Sequence, residues 1–283
     1  MRERSSRRRY LQVLGVAGTT GLAGCSSPFG DSPNGTDEPL QTAESLPEWT
    51  GWVPAEPVTS GEQELVGADF EGVRKLFPEL ADGDWGLDEY AADTGVETED
   101  ISYVIGLSNG SDWEATILTG SFDAETIRSN NDFWWFQTDS YQGYTTVDAG
   151  IAFGDGVSIT GEYEPVLDRR VGETPPIGEN DTEWRTLLST LTGRTLVYAT
   201  ESSLSSSELL DFARTGVSYE RVDGTTEATR VFMFDSESEA TDVYENRKGR
   251  LSAAATGEGG TVQDIRLAGT QVIVTIRGND ITF

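Results

Sequence analysis

Residues 101–123 read ISYVIGLSNGSDWEATILTGSFD, and this stretch sets the fold class. Two runs rich in β-branched and apolar residues, 101–107 and 113–121, flank Asn109-Gly110. An Asn-Gly pair between two such runs is a strong short-range signal for a β-hairpin. Asp123 then stands at a helix N-cap position, so a helix is expected to about residue 131.

Upstream, alternation predicts a strand near 63–70. Val73, Leu76, Phe77 and Leu80 follow at i, i+3, i+4, i+7, the stripe of an amphipathic helix. A second short helix is expected near 86–93, ending at the Thr94-Gly95 turn. Downstream, strands are expected near 142–148 and 151–160, and a short helix at 164–171. The segment 173–181 holds Pro175-Pro176 and reads as a linker.

Beyond the linker the order of elements recurs. A helix carries the stripe Trp184, Leu187, Leu188 and Leu191, and a strand lies near 194–200. Ser205 and Glu208 stand at capping-box spacing for a further helix. Strands at 217–222 and 227–235 precede one helix bearing Ala240, Val243, Tyr244 and Leu251. A last hairpin is expected at 261–268 and 270–277. Short echoes accompany the repeat: Ala92-Asp93-Thr94-Gly95-Val96 with Ala213-Arg214-Thr215-Gly216-Val217, Glu114-Ala115-Thr116 with Glu227-Ala228-Thr229, and Phe122-Asp123 with Phe234-Asp235.

The expectation is an α+β fold in two related halves, 62–172 and 182–283. Each reads β-α-β-β-α-β-β, a ferredoxin-like split βαβ unit plus one strand. Whether the halves share one antiparallel-rich sheet or form two is left open by the sequence.

The amino terminus carries an address. Arg2, Arg4, Arg7, Arg8 and Arg9 precede a short, weakly apolar stretch at 11–23, too short for a membrane-spanning helix of about 20 residues. Ser6-Arg7-Arg8-Arg9-Tyr10-Leu11-Gln12 resembles the twin-arginine export consensus, with Arg7 and Arg8 as the paired arginines. Leu22-Ala23-Gly24-Cys25 matches a lipobox, which makes Cys25, the sole cysteine, the expected lipid-attachment residue. Residues 1–25 are thus read as a signal peptide and 26–61 as an acidic, Pro/Gly/Ser-rich tether and entry segment. The expected location is the outer face of the cytoplasmic membrane, held by the lipid.

Residues 1–25 contain five arginines and Glu3, so the remainder holds 15 basic and 48 acidic side chains, a formal charge of −33. Such a body repels itself at low salt. At molar salt the Debye length is about 3 Å and the repulsion is screened. The charge therefore reads as halophilic adaptation, and it argues against nucleic-acid binding, which needs clustered cations. Asn34, Asn109 and Asn180 each open an N-glycosylation sequon.

Further motifs are the Trp49-x-x-Trp52-Val53-Pro54-Ala55 entry segment, Thr94-Gly95-Val96, Gly120-Ser121-Phe122-Asp123 and Gln142-Gly143-Tyr144. Together with the export signal, these make most of the mature chain resemble a group of haloarchaeal twin-arginine lipoproteins of uncharacterised function. The resemblance implies an envelope role and transfers no catalytic residue.

With no histidine and one cysteine, His-based triads, Cys-His dyads and multi-cysteine metal sites are excluded. The run Asp82-Gly83-Asp84 fails the EF-hand pattern, because Gly86 and Leu87 stand where a ligand and a glycine are required. No metal and no cofactor is expected. The most unusual stretch is Phe133-Trp134-Trp135-Phe136. Four consecutive aromatics cannot share one strand face, so they either close the core of the first half or present a contact for a surface protein or glycan. The leading expectation is a non-enzymatic envelope lipoprotein using that contact. The solute-binding component of an importer and a carboxylate-dependent hydrolase are the alternatives.

Overall fold

The computed structural model describes residues 46–55, 63–77, 95–108, 113–130, 138–148, 150–191, 195–201, 212–256, 260–278 and 281. The expected α+β architecture is present as one large antiparallel sheet with helices on both faces. Its strands are β1 (Glu64–Asp69), β2 (Ile101–Ser108), β3 (Trp113–Gly120), β4 (Thr138–Tyr141), β5 (Tyr144–Val147) and β6 (Ile151–Gly154). They continue with β7 (Val157–Gly161), β8 (Leu196–Thr200), β9 (Arg214–Val222), β10 (Thr225–Met233), β11 (Thr261–Ala268) and β12 (Gln271–Gly278).

The strand order is β11-β12-β10-β9-β8-β1-β2-β3-β7-β6-β5-β4. The question of one sheet or two is settled by the β1–β8 ladder, where Gly67 lies opposite Val197. A single cross-strand row runs Ile159, Ile117, Ile105, Gly67, Val197, Ser218 across that seam.

The ferredoxin-like pairing needs correction. In a split βαβ unit the third strand lies between the first two, whereas here β1 pairs directly with β2, Leu65 opposite Leu107. The chain re-enters the sheet at the end it left, with Asp69 opposite Tyr103, so no strand is inserted. From the centre, the order outward is β1-β2-β3-β7-β6-β5-β4 on one side and β8-β9-β10-β12-β11 on the other, so the first five strands of each side correspond.

The helices divide between the faces. On the upper face lie α1 (Phe70–Leu76), α2 (Ala124–Asn130), α5 (Glu237–Asn246) and α6 (Lys248–Ala255). Val73, Ile127, Val243 and Leu251 join Val66, Leu118, Phe232 and Val274 in one apolar core there. On the lower face α3 (Tyr163–Arg170) and α4 (Thr182–Leu191) supply Val166, Leu167, Leu187 and Leu191 to a second core with Ile105, Ile117, Val231 and Ile273. Residues alternate between the two cores along β1, β6, β8 and β12, as the pleat requires.

Three local expectations change. The run 151–160 is two strands, because Asp155-Gly156 is a tight turn with Gly156 at φ +72°. Gln142 and Gly143, at φ +52° and +87°, form the turn between β4 and β5, and β4 itself was not foreseen. The long helix expected around 240–251 breaks at Arg247, whose φ is −130° and ψ 20°. The helices expected at 86–93 and from Ser205 lie outside the described residues.

Candidate functional site

The first described residues pack on the lower face. Glu48–Trp52 form a 3-10 turn in which the Thr50 hydroxyl donates to the Pro47 carbonyl at 2.7 Å. The Trp49 ring covers Gly67, so a Cβ on that glycine would lie 2.3 Å from it. Val53 is fully buried. Pro54 forms an antiparallel bridge with Pro176, through Ala55 N–H to Pro175 O at 3.0 Å and Ile177 N–H to Val53 O at 2.9 Å. Arg170 of α3 stacks on Trp52 at 4.7 Å. The entry segment is therefore clasped to the linker that joins the halves.

The linker's other end is held by a half-buried ionic cluster. Arg214, at the start of β9, is 12% exposed. Its guanidinium meets both Asp181 oxygens (3.0 and 2.8 Å), Glu183 (2.7 Å) and Glu201 (3.2 Å), and lies 5.2 Å from the Trp184 ring centroid. Trp184 Nε1 donates to the same Glu201 oxygen at 2.9 Å. Asp181 also caps α4, accepting the N–H groups of Glu183 and Trp184. Burial pushes the Asp181 carboxyl up, but the Trp184 N–H and Arg214 outweigh it and hold the carboxyl below its ordinary range.

A third cluster lies beside β4. The Tyr141 hydroxyl donates to Asp168 Oδ1 at 2.7 Å, and Gln142 Nε2 donates to the same oxygen at 3.3 Å. That bond to a carboxylate is the main reason the Tyr141 phenol is pushed up to about 12. On the upper face, burial and then Glu64 raise Tyr198.

Cys25, Arg7, Arg8, Asn34, Asn109 and the block Phe133, Trp134, Trp135, Phe136 lie outside the described residues. Asn180 is exposed, directly ahead of the Asp181 cap. Glu99 and Asp100 lie in a 3-10 turn, with Glu99 3.9 Å from Arg74. Among the described residues no group of three or more His, Cys, Asp or Glu could hold a metal ion, and no helix is long and apolar enough to cross a membrane.

Sequence reasoning passed over Arg214 and Asp168. Asp181 just ahead of Thr182-Glu183-Trp184 was a readable cap signal. Nothing local marked its pairing with Arg214, 33 residues away.

The chain matches no protein-family model and no curated protein. Among solved structures it is similar to the spirochaete protein TP0453. In crystal form III the TM-score is 0.46 at 12% identity, covering 80% of this chain and 95% of that one. In crystal form IV the TM-score is 0.48 at 14% identity, covering 82% and 93%.

Proposed function

We propose that this chain is an envelope lipoprotein of a halophilic archaeon, exported through Arg7-Arg8 and anchored by a lipid on Cys25, with a non-enzymatic role in binding a surface protein or glycan. The observation that carries the anchored reading is the order of the first 25 residues, paired arginines, short apolar stretch and lipobox. The clasp at Trp49–Pro54 is consistent with it, because a tether that ends in the core passes its load into the body rather than fraying. The same reading takes the halves as repeats of one unit, which the matching strand order on either side of β1–β8 supports.

The partner contact is assigned to Phe133–Phe136. Between its second upper-face helix position and its last hairpin the second half has α6, where the sequence of the first half has this block and the β4–β5 hairpin, so the aromatics are read as an addition in one half alone. An importer's two-lobed architecture fits less well, since the halves here are joined edge to edge in one sheet.

Acrylamide quenching in molar salt tests the contact. The difference between the wild-type chain and Trp134→Phe/Trp135→Phe isolates those two rings. Strong quenching, suppressed by purified envelope glycan or a purified surface-layer protein, is expected. Rings shielded in the free chain and unchanged by either probe would place them in the core and remove the proposed contact.

A further inference from the structure

Beyond the signal peptide the chain has 15 cations against 48 carboxylates, and only two of the cations are lysines. Three cations fall within four residues, Arg247-Lys248-Gly249-Arg250, at the knuckle between α5 and α6 on the upper face. All four residues are exposed. Arg247 lies 3.3 Å from Asp242, and Lys248 sits 4.1 Å above the Tyr244 ring. Neither Lys248 nor Arg250 has a carboxylate partner among the described residues.

Helix electrostatics account for only part of this cluster. A cation just past α5 complements its carboxyl end, which explains Arg247. Lys248 and Arg250, however, occupy the first turn of α6, where carboxylates are favoured and cations are not. The first turns of α1 to α5 each hold an acid: Glu71, Glu125, Glu164, Glu183 and Glu237. A scarce residue type is therefore concentrated where it works against local helix stability.

We propose that this knuckle is an interaction surface for the phosphates of an anionic lipid membrane. The proposal rests on the anchored reading above, since a lipid on Cys25 would hold the body near such a surface. The 23 residues between Cys25 and Trp49 can extend to about 75 Å, which lets the upper face turn to the membrane. The guanidinium groups of Arg247 and Arg250 match phosphate bidentately, and Lys248 adds a point charge. At low salt the acidic body is repelled by an anionic bilayer. At molar salt the Debye length of about 3 Å screens the body's longer-range repulsion more strongly than it screens pairs in direct contact.

The test uses the Cys25→Ser, Asn246→Cys chain carrying a nitroxide at residue 246, so the reading is local and independent of the anchor. In molar salt, phosphatidylglycerol vesicles should reduce collisions with a water-soluble relaxant several-fold, and phosphatidylcholine vesicles should not. Arg247→Gln/Lys248→Gln/Arg250→Gln, made in the same background, should weaken vesicle docking by about tenfold or more, whereas Arg247→Lys/Arg250→Lys should retain most of it. Equal shielding on both lipids, no shielding, or a response to inorganic phosphate without vesicles would overturn the proposal. Failure here leaves the Cys25 anchor standing on its own test.

Discussion

At the scale of single residues, the structure puts its heaviest demand on Arg214 and Gly67. Removing the guanidinium leaves Asp181 and Glu201 facing each other without a counter-charge. Arg214→Met should therefore cost about 2 kcal/mol, between the values for exposed and fully buried pairs. Arg214→Lys keeps the charge but loses the fork and should fall between. Denaturant midpoints in molar salt check both. The pH dependence has a definite sign: a carboxyl depressed in the fold stabilises above its unfolded value and loses that contribution as pH falls through its folded value. Below about pH 4 the wild type should thus lose stability, and Arg214→Met, which keeps the Trp184 and Glu183 N–H bonds to Asp181, should lose less of it. Gly67→Ala places a methyl in the Trp49 ring and should destabilise by about 1–3 kcal/mol. In Gly67→Ala/Trp49→Ala the two losses should fall short of additive, as expected of residues in contact.

Among the secondary-structure elements, strands and helices were legible where the side-chain pattern is locally enforced. The 101–107 and 113–121 runs became β2 and β3, and the stripe Trp184, Leu187, Leu188, Leu191 became α4. What escaped was pairing and register. The Glu-Ala-Thr echo suggested equivalent positions in β3 and β10, yet Ala115 points to the lower core and Ala228 to the upper. The spacing that keeps faces aligned pairs Ile117 with Val231, one residue away from the echo, and a slip of one residue reverses a strand's faces. Thr215-Gly216-Val217 lies inside β9, while Gly95 and Val96 precede β2, so that echo joins unlike places. Phe122 and Phe234 do correspond, each entering the upper core just ahead of a helix. The Asp155-Gly156 turn was readable in type and was missed because apolar residues on both sides suggested one long strand. For the candidate site the sequence offered an address and an aromatic block, both outside the described residues; Arg214 and Asp168 act through partners distant in sequence, which no local pattern reveals.

For the whole molecule, the β1–β8 ladder makes the body one sheet, so the halves should unfold together. Raising salt from dilute to molar concentrations should move a single transition to higher temperature, as screening relieves the charge of −33 carried by residues 26–283. Two transitions with separate salt responses would mean that the halves are independent domains.

The central claim is the lipid anchor, and its most direct test is the mass and location of the exported chain. The wild-type protein should fractionate with membranes, begin at Cys25 and carry the added mass of a lipid, whereas Cys25→Ser should appear in the soluble or secreted fraction. A membrane-bound Cys25→Ser chain, or a wild-type chain that retains residues before Cys25 and lacks the lipid mass, would contradict the account.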